Sequence, residues 1–358
     1  MLIYYNDHHA RHDVVGRFVK RPGEAHLQFW DASVHQPAPE LYDDAETPLR
    51  MKVILSALEA AGMRVKPPQD FGTSPLAAVH SPDYLHHLEH IYAENAAQVG
   101  AACPVLPEAF AVRTSRRPTG LLGRKGYYAS DVYSPILEGT WEAAYWSAQT
   151  ALTTAQSVLD GQRVAYALCR PSGHHAGRDV YGGYCYLNNA AVAARHLRTE
   201  TGARVALLDF DYHHGNGTQD IFYNDPNVFF VSLHGDPEHA FPYYSGWADE
   251  RGVDAGEGFT LNIPLQNGTG DVAYLASFDS ALDAIRAYAP AYLVVSAGFD
   301  IGANDPYGGF LVTRECMGAI GARIRSLALP TVLIQEGGYL PSRLGEYVAT
   351  FLKAFGAE

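Results

Sequence analysis

The sequence predicts an α/β fold: a single open, mostly parallel sheet flanked by helices on both faces. Short apolar runs alternate with amphipathic segments of helical period, the pattern of strand–helix–strand units. Several of those runs are followed directly by His, Asp or Tyr, as expected where parallel strands end on one ligand-binding rim. No repeat, low-complexity tract or linker divides the 358 residues, so residues 1–358 read as one domain.

The elements follow in order. Ser81-Pro82 precedes a helical stretch containing His86 and His87. Thr140 reads as the N-cap of a helix with Trp141, Ala144, Tyr145, Ala148 and Leu152 on its apolar face. Val164 to Cys169 is a strand, stopped by Arg170-Pro171-Ser172-Gly173. Leu187 to Leu197 is helical, Val205 to Leu208 and Val228 to Val231 are strands, and Val272 to Tyr288 is helical. Tyr292 to Val295 is a strand, Thr313 to Leu327 a helix, and Thr331 to Ile334 the last strand. Two stretches break the pattern. Residues 17–50 carry Pro22, Pro37, Pro39 and Pro48 beside Phe29 and Trp30, and residues 104–139 are rich in proline and glycine. Loops of that length inside a compact fold are usually lids or interaction surfaces; a plain surface excursion is the alternative.

Composition narrows the function. With 26 Lys+Arg against 39 Asp+Glu, the net charge is −13, which disfavours a nucleic-acid partner and favours small cations. No apolar run is long enough for a membrane span. The first residues lack the cationic region of a signal peptide. The four cysteines (Cys103, Cys169, Cys185, Cys316) form no CxxC and no disulfide framework. A reducing, cytoplasmic setting is the expectation.

The chemistry gathers after the strands: Ser172-Gly173-His174-His175, then Asp209-Phe210-Asp211-Tyr212-His213-His214-Gly215-Asn216, Ser232-Leu233-His234, Ser296-Ala297-Gly298-Phe299-Asp300 and Glu336-Gly337-Gly338-Tyr339. Asp209, Asp211 and His213 recur at period two, so an extended segment would turn all three to one side. Asp211 and His213, with Asp300 from another strand end, make a three-ligand set with an open position, the layout of a catalytic zinc site. Iron(II) suits similar ligands. Two carboxylates temper the charge of the ion, so a protein base is needed, and His174 and His175 can supply it. Asp209 and Asn216 are the polar residues available to fix their tautomers; Asp209 would raise the basicity of its histidine, and neutral Asn216 would orient its partner without doing so. Tyr339, after two glycines, is either an oxyanion donor or a plain rim tyrosine. The pairs His8-His9 and His86-His87, and His214, read as surface or packing residues.

With these residues assembled, the chain resembles the zinc-dependent deacetylases of the arginase–deacetylase superfamily. The resemblance runs from His80-Ser81-Pro82-Asp83-Tyr84-Leu85 to Glu336-Gly337-Gly338-Tyr339. It includes Arg170-Pro171-Ser172-Gly173-His174-His175-Ala176, Gly183-Tyr184-Cys185-Tyr186-Leu187-Asn188-Asn189-Ala190 and the Asp209–Thr218 stretch. It implies zinc on Asp211, His213 and Asp300, proton handling by His174 and His175, and polarisation of an amide carbonyl by Tyr339. It pairs Asp209 with His174 and Asn216 with His175, and makes Gly183, Tyr184 and Phe241 walls of a narrow tunnel. It also implies structural potassium held by Asp209, Asp211, His213, Ser232 and Leu233, with Phe222, Asp225 and Val228 as a second site.

Within that superfamily the chain is most similar to bacterial acetylpolyamine amidohydrolases. Gly126-Tyr127-Tyr128, Gly139-Thr140-Trp141-Glu142, Asn216-Gly217-Thr218-Gln219-Asp220-Ile221-Phe222-Tyr223 and Ser232-Leu233-His234-Gly235-Asp236-Pro237 carry this. The 104–139 stretch then matches an insertion that builds a homodimer and narrows the active-site mouth. Leu122 and Tyr133 stand where acidic residues would meet a distal ammonium; Asp131 and Glu138 are the nearby carboxylates that could substitute. The expected substrate is a small cationic acetylated amine such as N-acetylputrescine or N-acetylcadaverine. The rivals are an acetyl-lysine protein deacetylase, a non-catalytic binder of acetylated amines, and a binuclear manganese hydrolase.

Overall fold

The computed structural model describes residues 1–13, 46–100, 103–112 and 116–356, and the backbone of 16–20 and 27–31. Of the long stretch at 17–50, Pro22, Pro37 and Pro39 lie outside the described residues, as do 113–115 of the insertion. In chain order come β1 (Leu2–Tyr4), a hairpin of β2 (Gly16–Lys20) and β3 (Leu27–Asp31), α1 (Pro48–Ala60), β4 (Val65–Lys66), α2 (Ser74–Ala77) and α3 (Pro82–Val99). Then follow α4 (Leu121–Tyr127), α5 (Thr140–Leu159), β5 (Val164–Ala167), α6 (Asn189–Thr201), β6 (Val205–Asp209), α7 (Asn216–Phe222) and β7 (Val228–Gly235). The chain continues through β8 (Thr260–Leu265), α8 (Asp271–Tyr288), β9 (Tyr292–Ala297), α9 (Arg314–Ser326), β10 (Thr331–Gln335) and α10 (Pro341–Lys353).

Eight strands form one sheet in the order β4-β1-β5-β10-β9-β6-β7-β8, and every neighbouring pair is parallel. The expected mostly parallel sheet is thus wholly parallel. Its strands are apolar on both faces because both faces are covered. Along β6, Val205 and Leu207 enter one core while Ala206 and Leu208 enter the other. One core packs under α1, α8, α9 and α10; the opposite one lies under α3, α5 and α6.

Helix ends follow local chemistry. Ser81 accepts a hydrogen bond from the Tyr84 amide, Asn188 from Ala191 and Thr313 from Cys316, fixing the starts of α3, α6 and α9. Thr140 is not the cap of α5, as the sequence suggested. Gly139 takes that place, because the Thr140 hydroxyl accepts from the Leu137 amide (2.7 Å) and pairs with His12 Nδ1 (2.9 Å). The insertion is closed at its base by Val105 and Ile136, whose amides donate to each other's carbonyls at 2.8 and 3.1 Å. Among the described residues no helix is long and apolar enough to cross a membrane.

The sequence reading missed the sheet strands β1, β4 and β8, the β2–β3 pair, and the helices α1, α2, α4, α7 and α10. The three sheet strands have weak signals: β4 has two residues, β1 has three, and β8 contains Asn262 and Pro264. Pro264 is tolerated because β8 is an edge strand.

Candidate active site

β6 and β9 are neighbours, yet from β6 the chain turns to β7 on one side and from β9 to β10 on the other. Connections that diverge in this way leave a crevice beyond the strand ends, where ligands bind in open parallel sheets. Asp211 and His213 follow β6 and Asp300 follows β9, so the crevice receives all three. The extended segment expected at 209–213 does not form. β6 stops at Asp209 and residues 211–213 bend, because Asp211 Oδ1 accepts from the His213 amide at 2.9 Å. The bend still brings the donors together: His213 Nδ1 lies 3.2 Å from Asp211 Oδ1 and 3.1 Å from Asp300 Oδ2.

Further backbone amides hold the carboxylates, Gly337 donating to Asp211 Oδ2 (2.8 Å) and Tyr212 to Asp300 Oδ1 (2.9 Å). The other oxygens meet His213, and the three donor atoms lie within 4.8 Å of one another. Burial, then the adjoining Asp211, push the Asp300 carboxyl up to about 6. Two buried acids side by side resist carrying both charges unless a cation shares them. The donor set therefore fits a divalent ion with carboxylate and imidazole ligands. A side chain at Gly337 would not fit: its Cβ would fall 2.4 Å from Asp300 Oδ2 and 2.5 Å from Asp211 Oδ2.

The loop after β5 delivers the histidine pair. Glu336 Oε2 accepts from the amides of Gly173 (2.7 Å) and His174 (3.3 Å), and its Oε1 accepts from the Ser296 hydroxyl (3.0 Å). His174 Nδ1 lies 3.0 Å from Asp209 Oδ2, and His175 Nδ1 lies 2.7 Å from Asn216 Oδ1. Both expected pairings are thus present in the geometry. The ring centroids are 4.0 Å apart. Burial disfavours a charge on His174, but Asp211 and Asp209 outweigh it and push its pKa up to about 10. Burial, with His174 and His213 as neighbours, holds His175 well below the usual range. The two neighbouring imidazoles are thus pushed in opposite directions.

Tyr339 is buried where the charges of Asp211 and Asp300 act on it. Its phenol is held well above the usual range by burial against the opposing charge of Arg50, so it stays a donor at neutral pH. Arg50 sits 4.9 Å over its ring and donates to the carbonyls of Gly338 (2.7 Å) and Glu336 (2.6 Å). Asp305 accepts from the Tyr339 amide at 2.7 Å. The ring of Tyr184 lies 6.0 Å from that of Tyr339, and the ring of Phe241 lies 5.0 Å from that of His175. Gly183 closes the wall between them with φ +54°, and a Cβ there would stand 2.3 Å from His175 Cδ2.

The two carboxylates expected to meet a distal ammonium are placed differently. Asp131 Oδ2 accepts from the Gly183 amide (2.6 Å) and Oδ1 from the Tyr133 amide (2.8 Å), so it braces the wall. Glu138 is exposed just before α5, where its charge reaches Tyr92 of α3, and it does not join the cluster. Ser232 stands opposite Asp209 in the β6–β7 register, with Leu233 next, and its hydroxyl bonds His234 Nδ1 at 2.8 Å. Asp225, near Phe222 and Val228, accepts from Arg195 at 2.9 Å and the Asn227 amide at 3.0 Å. His8 stacks on Trp146, His9 bonds Tyr5, His86 stacks on His90, and His87 is buried against Tyr128. His214 is buried against His234, with Nδ1 3.0 Å from Ser245 Oγ.

Residues 44–355 match the family model of the histone deacetylase domain. The chain belongs to the histone deacetylase family. Acetylpolyamine amidohydrolase of Burkholderia pseudomallei is 42% identical over 332 residues, covering 91% of this chain and 97% of that protein. Acetylpolyamine amidohydrolase 1 of Pseudomonas aeruginosa is 43% identical, covering 91% and 96%. A crystal structure of the Burkholderia pseudomallei acetylpolyamine aminohydrolase superposes with TM-score 0.89 at 40% identity, over 100% of this chain and 99% of that one. The HD domain of HDA15 gives 0.79 at 26% identity. The histone deacetylase family is a hydrolase family, and its strand-end site here contains supports that sequence reasoning missed. The sequence marks Glu336 only as part of a motif and does not mark Asp305 or Arg50. Arg50 lies on α1, far along the chain from the carbonyls it holds, and no local pattern marks it.

Proposed function

We propose that this histone deacetylase-family chain is a zinc-dependent amidohydrolase that removes the acetyl group from acetylated polyamines or short diamines, such as N-acetylputrescine and N-acetylcadaverine, yielding acetate and free amine. The observation that carries this is the convergence of Asp211, His213 and Asp300 on one point beside the His174–His175 pair and Tyr339. Relatives matching over nearly their whole length are acetylpolyamine amidohydrolases. A divalent ion held by Asp211, His213 and Asp300 would polarise the amide carbonyl and acidify a water.

The residues of the chain supply the rest. Neutral His175, its Nδ1 fixed by Asn216, takes the proton of the attacking water through Nε2. His174, paired with Asp209, stabilises developing negative charge when protonated, and a protonated histidine of the pair gives the leaving amine its proton. The Tyr339 hydroxyl donates to the carbonyl oxygen as it becomes an oxyanion. Tyr184, Phe241 and Gly183 confine the acetamide arm. Tyr243, its ring 6.1 Å from Phe241, and Tyr307, 5.1 Å from Tyr339, extend the aromatic wall. Such faces attract an ammonium group, and the acidic protein favours its approach.

The same reading gives Asp209, Asp211, His213, Ser232 and Leu233 a structural potassium, and the 104–139 insertion a homodimer contact. It places the protein in the reducing cytoplasm, consistent with four free cysteines. The test is kcat/KM of the zinc-loaded protein on N-acetylputrescine and on a peptide carrying acetyl-lysine. A ratio strongly favouring the diamine is expected. The reverse ratio would make the protein a lysine deacetylase.

A further inference from the structure

We propose that Asp305 is the positioning residue for Tyr339, a single buried carboxylate that sets both the phenol and the aromatic ring packed on it. Asp305 lies in the loop after β9, 7% exposed, past the ligand Asp300. Its two oxygens serve different strand ends. Oδ1 accepts from the Tyr307 amide at 3.0 Å, a local turn within its own loop. Oδ2 accepts from the Tyr339 amide at 2.7 Å, in the loop after β10. The Tyr307 ring meets Tyr339 edge-on at 5.1 Å and 68°. The backbone of Tyr339 and one wall of its ring therefore depend on the same side chain, while Arg50 closes another.

The chemistry explains why the group is a carboxylate. Two amides converge on it from different loops, and each buried N–H needs an acceptor. An asparagine has one acceptor oxygen. Whichever amide it served, its own NH2 would face the other N–H, leaving two donors together. With either bond lost, the loop carrying Tyr339 gains freedom. A phenol displaced by about 1 Å from the carbonyl oxygen forfeits most of its benefit in the transition state. Substrate binding should change little, because Tyr184, Phe241 and Gly183 hold the acetamide arm. Asp305 does not touch the reacting atoms, and its effect passes through Tyr339.

The inference rests on the reading of Tyr339 as the hydrogen-bond donor to the carbonyl. Its test is a double-mutant cycle on the zinc-loaded full chain: Asp305→Asn, Tyr339→Phe and the pair, each checked for zinc content and thermal midpoint. Asp305→Asn should lower kcat by about 10-fold or more, with KM and zinc content near wild type. In the Tyr339→Phe background the same change should cost less than about threefold, because the hydroxyl it positions is gone. Equal losses in both backgrounds would overturn the proposal, as would unchanged kcat in folded Asp305→Asn or a loss of activity matched by a loss of zinc. Near-normal turnover of Tyr339→Phe alone would sink the underlying reading and the proposal with it. If Asp305→Asn does not fold, Asp305→Ser, smaller and able to cap one amide, enters the same cycle with the same outcomes.

Discussion

His174 and His175 are adjacent in sequence and chemically opposite. Asp211 and Asp209, whose Oδ2 lies 3.0 Å from His174 Nδ1, pull one towards the charged form, while burial and the neighbouring imidazoles hold the other down, its Nδ1 facing only an amide oxygen at 2.7 Å. Tyr339 completes the set as a donor. Replacing Tyr339 by Phe should lower turnover by on the order of 10²-fold or more, as removal of an oxyanion donor does; steady-state kinetics with unchanged zinc content checks it. A buried histidine away from the site gives a different prediction. His80 donates through Nδ1 to the Gly177 carbonyl (2.9 Å), and its Nε2 accepts from the Asn188 amide (3.0 Å). Burial lowers its pKa to about 4, so the folded state resists a proton that the unfolded chain binds from about 6.5 downward. The stability this contributes is complete above about pH 6.5 and is lost as pH falls towards 4. Linkage makes the loss about 2 kcal/mol at pH 5. Urea unfolding at pH 7 and pH 5 reads the total change, to which the other buried histidines also contribute, and His80→Asn should shrink the difference between the two pH values by about 2 kcal/mol.

At the scale of elements, the turn between Gly182 and Cys185 shows how a few residues shape the wall. The amides of Gly182 and Cys185 donate to each other's carbonyls, and the two central residues, Gly183 and Tyr184, have φ +54° and +66°. Both central residues at positive φ is the geometry of a tight type I′ turn. The turn throws Tyr184 toward Tyr339 while Gly183 lies flat on His175. Gly183→Ala should cost about 1–2 kcal/mol of stability from the left-handed backbone, and kcat/KM should fall by about 10-fold or more as the added methyl displaces His175. Urea unfolding and kinetics at full zinc occupancy read both; activity within twofold of wild type would mean that the ring is not constrained there. The apolar strands β5, β6, β7, β9 and β10 were legible because burial on both faces makes them continuous runs. β1, β4 and β8 were not, because their short or mixed segments become strands through their neighbours.

For the whole molecule, the net charge of −13 predicts attraction of a cationic substrate over distances beyond contact. kcat/KM for N-acetylputrescine should therefore fall as ionic strength rises from about 10 to about 300 mM, where the screening length contracts severalfold. An uncharged N-alkylacetamide of similar length should show little change. Matching salt profiles for the two would remove long-range steering from the account.

The sequence by itself determined the parallel α/β fold and the residues of the candidate centre, because apolar period and reactive side chains after strand ends are local signals. It also pointed to both histidine partners, since Asp209 and Asn216 flank Asp211 and His213 along the chain. Tertiary structure alone decided the supports. Glu336 holding Gly173 and His174, Arg50 holding the Gly338 carbonyl and Asp305 holding Tyr339 each join segments far apart in the chain. Tertiary structure also decided that Asp131 braces Gly183 and that Glu138 stays on the surface. The physical reason is the same in each case: a side chain's partner is set by which loops the sheet order brings together, and that order is not written in any local stretch of sequence.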